Sequence, residues 1–500
     1  MLPPERRLGI VLELIEEHRY FTLHAGRQTG KTTSARWLVE QFNRGSSFRA
    51  IWIDLQSAGD NPNPAEAFEA VLYGLDTAIE RDLPDLGVPS DDARSIEPTS
   101  TFVLRYLRDL AKRCPKPLVV LADEADGLVG PAMVSFLRQL RQGYIDRSQT
   151  PFPSSVVLVG QRQVRDYVLT AKDRRAISWL GTASPFNITA EATTLVAFTE
   201  AEVAELLEQH TASTGQRFEP EAMHRIWELG QGHPWLTNAL ADQIVRRDLN
   251  DRRIPITAAH VESAKETIIL ERRSHVDSLI ARLREPRVQR VLDPMLSGGQ
   301  TSSDVLDDDF AYVTGLGLIR LFKGRFEIAN PIYREVVPRA LTFIRQAQVP
   351  AEPAWYVRPD GSLDMSKLLA DWQVFWRKDG HIAAEGFGYR ESGPHLMLMA
   401  FLQRVVNGGG RVEREYGLGR GALDLMIFWK DDRHAIEVKL RRDTETEAEA
   451  LDQMARYLDH TGLTEGWLVM FDLRKELSWT DKLFVREVEH RGKKVRLVGS

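Results

Sequence analysis

Apolar residues fall along this chain in two rhythms. Short unbroken apolar runs bounded by turn residues mark strands buried on both faces, and apolar positions three and four apart mark helices packed along one side. The first rhythm appears at Tyr20-Phe21-Thr22-Leu23-His24, at residues 49–55 (RAIWIDL), at 118–122 (LVVLA) and at 154–160 (SSVVLVG). The second fills the intervals at residues 34–42, 65–81, 101–113 and 136–147, while 82–98, rich in Pro, Asp and Ser, reads as a loop. Strands alternating with helices predict a doubly wound α/β domain with a parallel sheet, preceded by a helix running toward His18.

Beyond residue 198 the rhythm is helical. Thr199-Glu200-Ala201-Glu202 is a capping-type start, and helices are predicted through 209, from 220 to 229 and from 234 to 247, punctuated by Gly230-Gln231-Gly232-His233-Pro234. Residues 288–340 combine helical spacing with two strand-like runs, 318–322 and 325–329, joined at Lys323-Gly324, the pattern of a winged helix. A Pro-rich linker lies at 349–353, and residues 363–377 form an amphipathic helix. The last stretch reads helix (394–406), three strands (411–416, 422–429, 433–440), helix (444–458), strand (465–471), an αβββαβ order. The expected domains are a nucleotide-binding core at 1–198, a helical lid at 199–275, a winged helix at 276–347, a connecting segment at 348–380 and a C-terminal domain at 381–500.

Candidate chemistry sits where strands end. Residues 25–33, AGRQTGKTT, fit the P-loop template between a strand and a helix. The backbone of Ala25, Gly26, Arg27, Gln28, Thr29, Gly30, Lys31, Thr32 and Thr33 is expected to cradle phosphate, with Lys31 reaching the β- and γ-phosphates and the Thr32 hydroxyl on Mg²⁺. The run LVVLADEAD ends in Asp123, expected on the Mg²⁺ water shell, and Glu124, expected to polarise the attacking water. Gln161 and Arg162 close the next strand, and Arg162 is the candidate γ-phosphate sensor.

In the C-terminal domain, alternation along a strand puts Glu437 and Lys439 on one face while Ile436 and Val438 face a core, and an adjacent strand can bring Asp424 beside them. Two close carboxylates suit a hard cation such as Mg²⁺, and a neighbouring lysine can stabilise the charge of a phosphoryl centre under attack.

Composition narrows the rest. With 500 residues, 43% of them hydrophobic, several cores are within reach. A net charge of −6 argues against a constitutive nucleic-acid coat, so any DNA contact must be local. Cys114, the single cysteine, excludes a disulfide frame and a cysteine zinc site. With no signal-type leader and no apolar run long enough for a bilayer, a soluble cytoplasmic protein is expected, without membrane contact. The basic residues Arg441-Arg442 and those within 491–496 could hold a phosphate backbone, although solvated surface charge is the commoner meaning of such runs.

Taken together, AGRQTGKTT, LVVLADEAD, the strand ending in Gly-Gln-Arg and GQGHPWL resemble the STAND and archaeal-type ATPases, relatives of the AAA+ group. The resemblance spans residues 1–345 and implies that Gly232-His233-Pro234 approaches the nucleotide, with Pro234 at the site. Asp424 with Glu437-Val438-Lys439 is similar to the PD-(D/E)XK nuclease superfamily, and Gln453 with Tyr457 looks like the mark of its RecB-like branch. That resemblance implies a metal set of Asp424, Glu437 and His395, the last at the start of a helix where many relatives carry a glutamate; here Glu391 lies just before it. The joint expectation is an ATP-binding and ATP-hydrolysing switch coupled to a Mg²⁺-dependent nuclease acting on DNA, in prokaryotic defence or genome maintenance. The alternatives are a nuclease-like module that binds without cutting, and a scaffold that self-associates on ATP.

Overall fold

The computed structural model describes the chain apart from residues 1, 46, 60, 62, 161–188, 272–273, 297–307, 347–355, 381–392, 407–409, 416–423, 442–444, 473 and 475–476. It divides into two compact units, one of residues 1–270 with 314–318 and one of residues 271–313 with 319–500.

The first unit is built on a five-stranded sheet of β1 (Tyr20–His24), β2 (Arg49–Asp54), β3 (Leu118–Asp123), β4 (Ser155–Gly160) and β5 (Thr189–Thr193). Their order is β2-β3-β4-β1-β5, and every pairing is parallel. The apolar runs are continuous because the sheet is covered on both faces. Ile51, Ile53, Val120, Ala122, Val156 and Leu158 pack with Phe68, Phe102 and Phe136 of helices Pro64–Asp82, Phe102–Arg113 and Gly130–Asp146. Their alternating neighbours Ala50, Trp52, Val119, Leu121, Val157 and Val159 pack with Val11, Ile15, Leu38 and Phe42 of helices Gly9–Glu16 and Lys31–Gly45. The N-terminal element differs from its expected single helix. Pro3-Pro4 opens a short 3₁₀ turn, Pro4–Arg7, and the α-helix starts at Gly9. The loop expected at 82–98 contains one helical turn, Asp91–Arg94.

The helices that follow run Glu200–Thr214, Pro220–Gly230, Pro234–Gln243 and Ala258–Leu270. The expected start at Thr199 is a full capping box: the Thr199 hydroxyl accepts from Glu202 N, and the Glu202 carboxylate accepts from Thr199 N. This helix continues past the expected end at residue 209 to a glycine cap, Gly215, in the left-handed region.

The second unit begins with helices Ser274–Arg282 and Pro286–Leu296, and the next helix, Asp308–Gly315, ends in the 314–318 segment that is grouped with the first unit. A two-stranded antiparallel hairpin follows, β6 (Ile319–Phe322) and β7 (Arg325–Ile328), turned at Lys323-Gly324 with both residues at positive φ. Helices Pro331–Gln346, Met365–Phe375 and Gly393–Val406 lead to a six-stranded sheet. Its strands are β8 (Gly410–Glu415), β9 (Asp424–Trp429), β10 (Asp432–Leu440), β11 (Glu465–Phe471), β12 (Val485–His490) and β13 (Lys493–Gly499), in the order β12-β13-β11-β10-β9-β8. β8, β9 and β10 form an antiparallel meander, β11 joins parallel to β10, and β13 joins parallel to β11. The helix Glu445–Thr461 lies between β10 and β11 in sequence and packs Met454 and Leu458 on Met426, Leu468 and Met470. The opposite face carries Leu425, Ile427, Ile436, Val438 and Val469 against Trp372 and Leu398. Among the described residues, no helix is long and apolar enough to cross a membrane.

Candidate functional site

At the carboxyl edge of the first sheet, β1 runs into the loop 25–30 and then into the helix beginning at Lys31. Gln28 (φ 58°) and Gly30 (φ 92°) take positive dihedrals, which lets the loop curl back while the helix N-terminus faces the same space. Lys31 is buried and donates to the carbonyls of Ala25 (2.8 Å) and Gly26 (2.9 Å). The Thr29 hydroxyl donates to Gly26 O at 2.9 Å, closing the loop from within. Burial pushes the Lys31 ammonium below its ordinary pKa, opposed by the carboxylates of Glu124, Asp123 and Asp126. A cation in such surroundings is stabilised by incoming negative charge, which is what phosphate brings.

Asp123 ends β3 and is 1% exposed. Its Oδ2 accepts from the Thr32 hydroxyl at 2.6 Å, across 91 residues of sequence, and from the Trp52 indole Nε1 at 3.2 Å; its Oδ1 accepts from Glu124 N at 2.9 Å. Hydroxyl and carboxylate oxygens are hard donors, and this pair fits a hard divalent cation at the phosphate cradle. Glu124 takes a left-handed φ of 49° where the strand breaks, turning its side chain away from the path of β3. Burial, then the charges of Asp126 and Asp123, raise its carboxyl above the usual range. A carboxylate of raised basicity beside the cradle is suited to drawing a proton from water.

The Gly232-His233-Pro234 segment is constrained by its backbone. Gly232 has φ 71°, its carbonyl accepts from Phe198 N at 2.9 Å, and a Cβ there would lie 1.9 Å from Phe198 O. His233 then caps the helix that starts at Pro234. Arg7 links this region to the phosphate loop, donating to Thr29 O (3.0 Å) and Val196 O (2.6 Å) with its guanidinium 4.9 Å from the Phe198 ring centre. Gln161 and Arg162, the expected sensor segment, lie outside the described residues.

In the second unit Glu437 is 1% exposed and ion-paired to Lys439 at 2.8 Å, and Lys439 donates to Gln453 Oε1 at 2.9 Å. Gln453 and Tyr457 share the helix that covers this face. The described ladder ends at Ile436 opposite Leu425, so the next register position sets Asp424 across from Glu437; the Asp424 side chain lies outside the described residues. His395 is buried near Phe471, ring centroids 6.1 Å apart, and Phe471 belongs to the face that the helix Gly393–Val406 covers. Glu391 and Arg442 lie outside the described residues. Among the described residues, no group of three His, Cys, Asp or Glu is placed to hold a metal. The basic run near the end is locally neutralised: Arg491 pairs with Asp452, Lys493 with Asp459, and Lys494 and Arg496 with Glu487.

Sequence reasoning missed Trp52, Arg7 and Asp126. Trp52 looks like one more core residue in an apolar run, and nothing in its spacing marks the indole N–H. Asp126 was visible as the last acid of LVVLADEAD, and Arg7 carried no signal beyond its charge.

Residues 15–168 match the family model described as "AAA domain", and residues 370–475 match a "Domain of unknown function (DUF8371)". No curated protein matches the chain. Among solved structures, the Walker-type ATPase PABY2304 of Pyrococcus abyssi is similar at 17% identity and a TM-score of 0.48, covering 67% of this chain and 96% of that one. The Aeropyrum pernix ORC1 protein in complex with DNA follows at 15% and 0.36, covering 92% and 95%. The Thermotoga maritima RuvB Holliday junction branch migration motor stands at 13% and 0.32, covering 67% and 93%. The family match and the cradle built by Lys31, Thr32 and Asp123 make residues 15–168 an AAA-type P-loop ATPase domain.

Proposed function

We propose that this chain is an ATP-driven switch whose second unit is a Mg²⁺-dependent DNA nuclease of the PD-(D/E)XK type. In the first unit Lys31 would neutralise the β- and γ-phosphates, Thr32 and Asp123 would hold Mg²⁺, and Glu124 would orient and deprotonate the attacking water. The bound cation would supply charge neutralisation on the phosphates. The lid, carried on Gly232-His233-Pro234, would read the occupied site, and helices 274–315 with the β6–β7 hairpin would serve as a winged helix.

The observation that carries the nuclease reading is the Glu437–Lys439–Gln453 chain, at 2.8 and 2.9 Å, which starts from a buried carboxylate and ends on half-buried partners. A buried carboxylate is kept where it is paired or coordinates a metal, and Glu437 beside Lys439 suits either use. The register position of Asp424 supports a second carboxylate beside Glu437. On this reading Asp424 and Glu437 would bind the cation, Lys439 would act at the phosphoryl group and Gln453 would orient Lys439; His395, against Phe471 on the opposite face of the sheet, drops out of the expected metal set.

The test is cleavage of linear, nicked and single-stranded DNA with Mg²⁺, with and without ATP, by the wild type and by Glu437→Ala/Lys439→Ala. Loss of cutting in the variant supports the reading, and equal cutting by both refutes it. A second reading, a DNA-binding scaffold that does not cut, is favoured by the Lys439 ion pair, which occupies the carboxylate a metal would need. DNA binding by the wild type without cleavage under any ATP or Mg²⁺ condition selects it. A scaffold that self-associates on ATP is a separate alternative, told from a monomeric enzyme by the size of the particle with and without a non-hydrolysable nucleotide; a place in prokaryotic defence or genome maintenance belongs to the nuclease proposal.

A further inference from the structure

Trp52 occupies an unusual position for a core aromatic. It stands on β2 beside Asp123, with 8% of its surface exposed, and four contacts fix it. Its backbone N–H donates to Asp82 Oδ2 at 2.9 Å, and its carbonyl accepts from Arg81 at 2.5 Å. The Arg81 guanidinium carbon lies 4.9 Å from the ring centre, and the Arg36 guanidinium carbon lies 4.6 Å from it. Cation–π attraction from two guanidiniums sets the ring's orientation as well as its depth. With the ring fixed, the indole N–H points at Asp123 Oδ2, the oxygen that also accepts the Thr32 hydroxyl.

The geometry points to Trp52 as a positioning residue that locks the Asp123 carboxylate, and through it the Thr32 hydroxyl, in place for the divalent cation of ATP hydrolysis. The inference rests on Thr32 and Asp123 being the cation's holders. A buried indole N–H needs an acceptor, and here the acceptor is the acid at the phosphate cradle. A carboxylate at a strand end can rotate about its terminal torsion, which is broad and twofold. Two donors on Oδ2 and the Glu124 amide on Oδ1 remove that freedom. The two oxygens offered to the cation, one on Asp123 and one on Thr32, are therefore arranged before it arrives, and reorganisation on binding is small.

The test uses the full chain. Trp52→Phe keeps an aromatic ring between Arg36 and Arg81 and removes the donor; Trp52→His restores a ring N–H. A hydrogen bond to an ionised group is worth enough to set the Mg²⁺ requirement back by about tenfold when lost. The expected result is a split: in Trp52→Phe the half-saturating Mg²⁺ for ATP hydrolysis rises about tenfold, more than the maximal rate falls, ATP binding in EDTA is unaffected, and Trp52→His recovers part of the loss. A second readout is independent of turnover. In protein labelled with 5-fluorotryptophan, the ¹⁹F resonance that disappears in Trp52→Phe, one of eleven, should move when Mg²⁺ joins bound nucleotide. It should stay still in Asp123→Asn.

An unchanged Mg²⁺ requirement in a folded Trp52→Phe overturns the proposal, as does equal loss of rate and of metal-free ATP binding, the mark of a purely structural ring. If Trp52→Phe does not fold, the resonance is assigned as the one lost in Trp52→His, and its indifference to Mg²⁺ in the wild type overturns the proposal. Should that resonance respond identically in Asp123→Asn, the cation reading of Asp123 fails, which is a different failure from that of Trp52.

Discussion

Replacing Gly232 by alanine offers a sharp test of the geometry of helices 200–270 because a matched control exists in the same segment. Gly232 and Gly215 have nearly the same backbone conformation, φ 71° and 78°. Forcing an L-residue into that region costs about 1–2 kcal/mol by itself. At Gly215 a Cβ would meet nothing within 4 Å, so Gly215→Ala should show that cost alone. At Gly232 the Cβ would sit 1.9 Å from Phe198 O and 2.9 Å from Phe198 C and N. All three are main-chain atoms that cannot swing aside, so the linker before helix Glu200–Thr214 must shift and the Phe198 N–H to Gly232 O bond is lost. That adds roughly 1 kcal/mol for the bond and 1–3 kcal/mol for the displaced packing. Gly232→Ala should therefore cost this helical segment about 3–6 kcal/mol, against about 1–2 kcal/mol for Gly215→Ala. Native-state hydrogen exchange is the assay, since a chain of two units has no single unfolding free energy. Amides of Pro234–Gln243 should lose protection by about a hundredfold or more in Gly232→Ala, and those of Glu200–Thr214 by about tenfold in Gly215→Ala. Equal, small losses in the two variants would refute the reasoning, because the backbone wall at Phe198 is the only difference it invokes.

Further expectations concern the phosphate cradle, the core and the second site. Lys31→Ala should weaken ATP binding by about a hundredfold or more, measured by calorimetry, since it removes the one buried ammonium of the loop. Glu124→Gln should bind ATP with near wild-type affinity and hydrolyse it at least about a hundredfold more slowly in single-turnover assays, as expected for a residue that acts on the attacking water. Gly143→Ala should destabilise the packing of helix Gly130–Asp146 by about 1–3 kcal/mol, read by hydrogen exchange of that helix's amides, because its Cβ would overlap the Phe152 ring at 2.3 Å. For the second unit, removing Mg²⁺ with EDTA should abolish DNA cleavage, and replenishing it should restore cleavage in the wild type but not in Glu437→Ala.

The central strands of the first sheet were readable because burial on both faces writes them as unbroken apolar runs, as in Val119-Val120-Leu121 and Val156-Val157-Leu158. The helix start at Thr199 was readable because Thr199 and Glu202 are a local pair whose chemistry needs no tertiary partner. β5 (TAEAT) was not, because an edge strand with one neighbour carries few apolar residues. β12 and β13 were hidden for another reason. Their charged residues satisfy one another across the hairpin, Glu487 with Lys494 and Arg496, so a run that reads as free positive charge is a pairing surface. The cradle itself was legible from spacing, but the residue that orients Asp123 was not. Trp52 is chosen for a hydrogen bond made between neighbouring strands far apart in sequence, and no local pattern records it.

The placement of β13 sets a schedule for the maturing protein. This strand, residues 493–499, stands between β11 and β12 rather than at a rim, so the six-stranded sheet has a gap until these residues are available. The strands β1 to β4 of the ATPase domain all lie within residues 20–160. On a ribosome that domain can close hundreds of residues before its companion. Nascent chains stalled short of β13 would thus carry a finished nucleotide pocket and a C-terminal sheet with exposed hydrogen-bonding edges, open to chaperones and proteases.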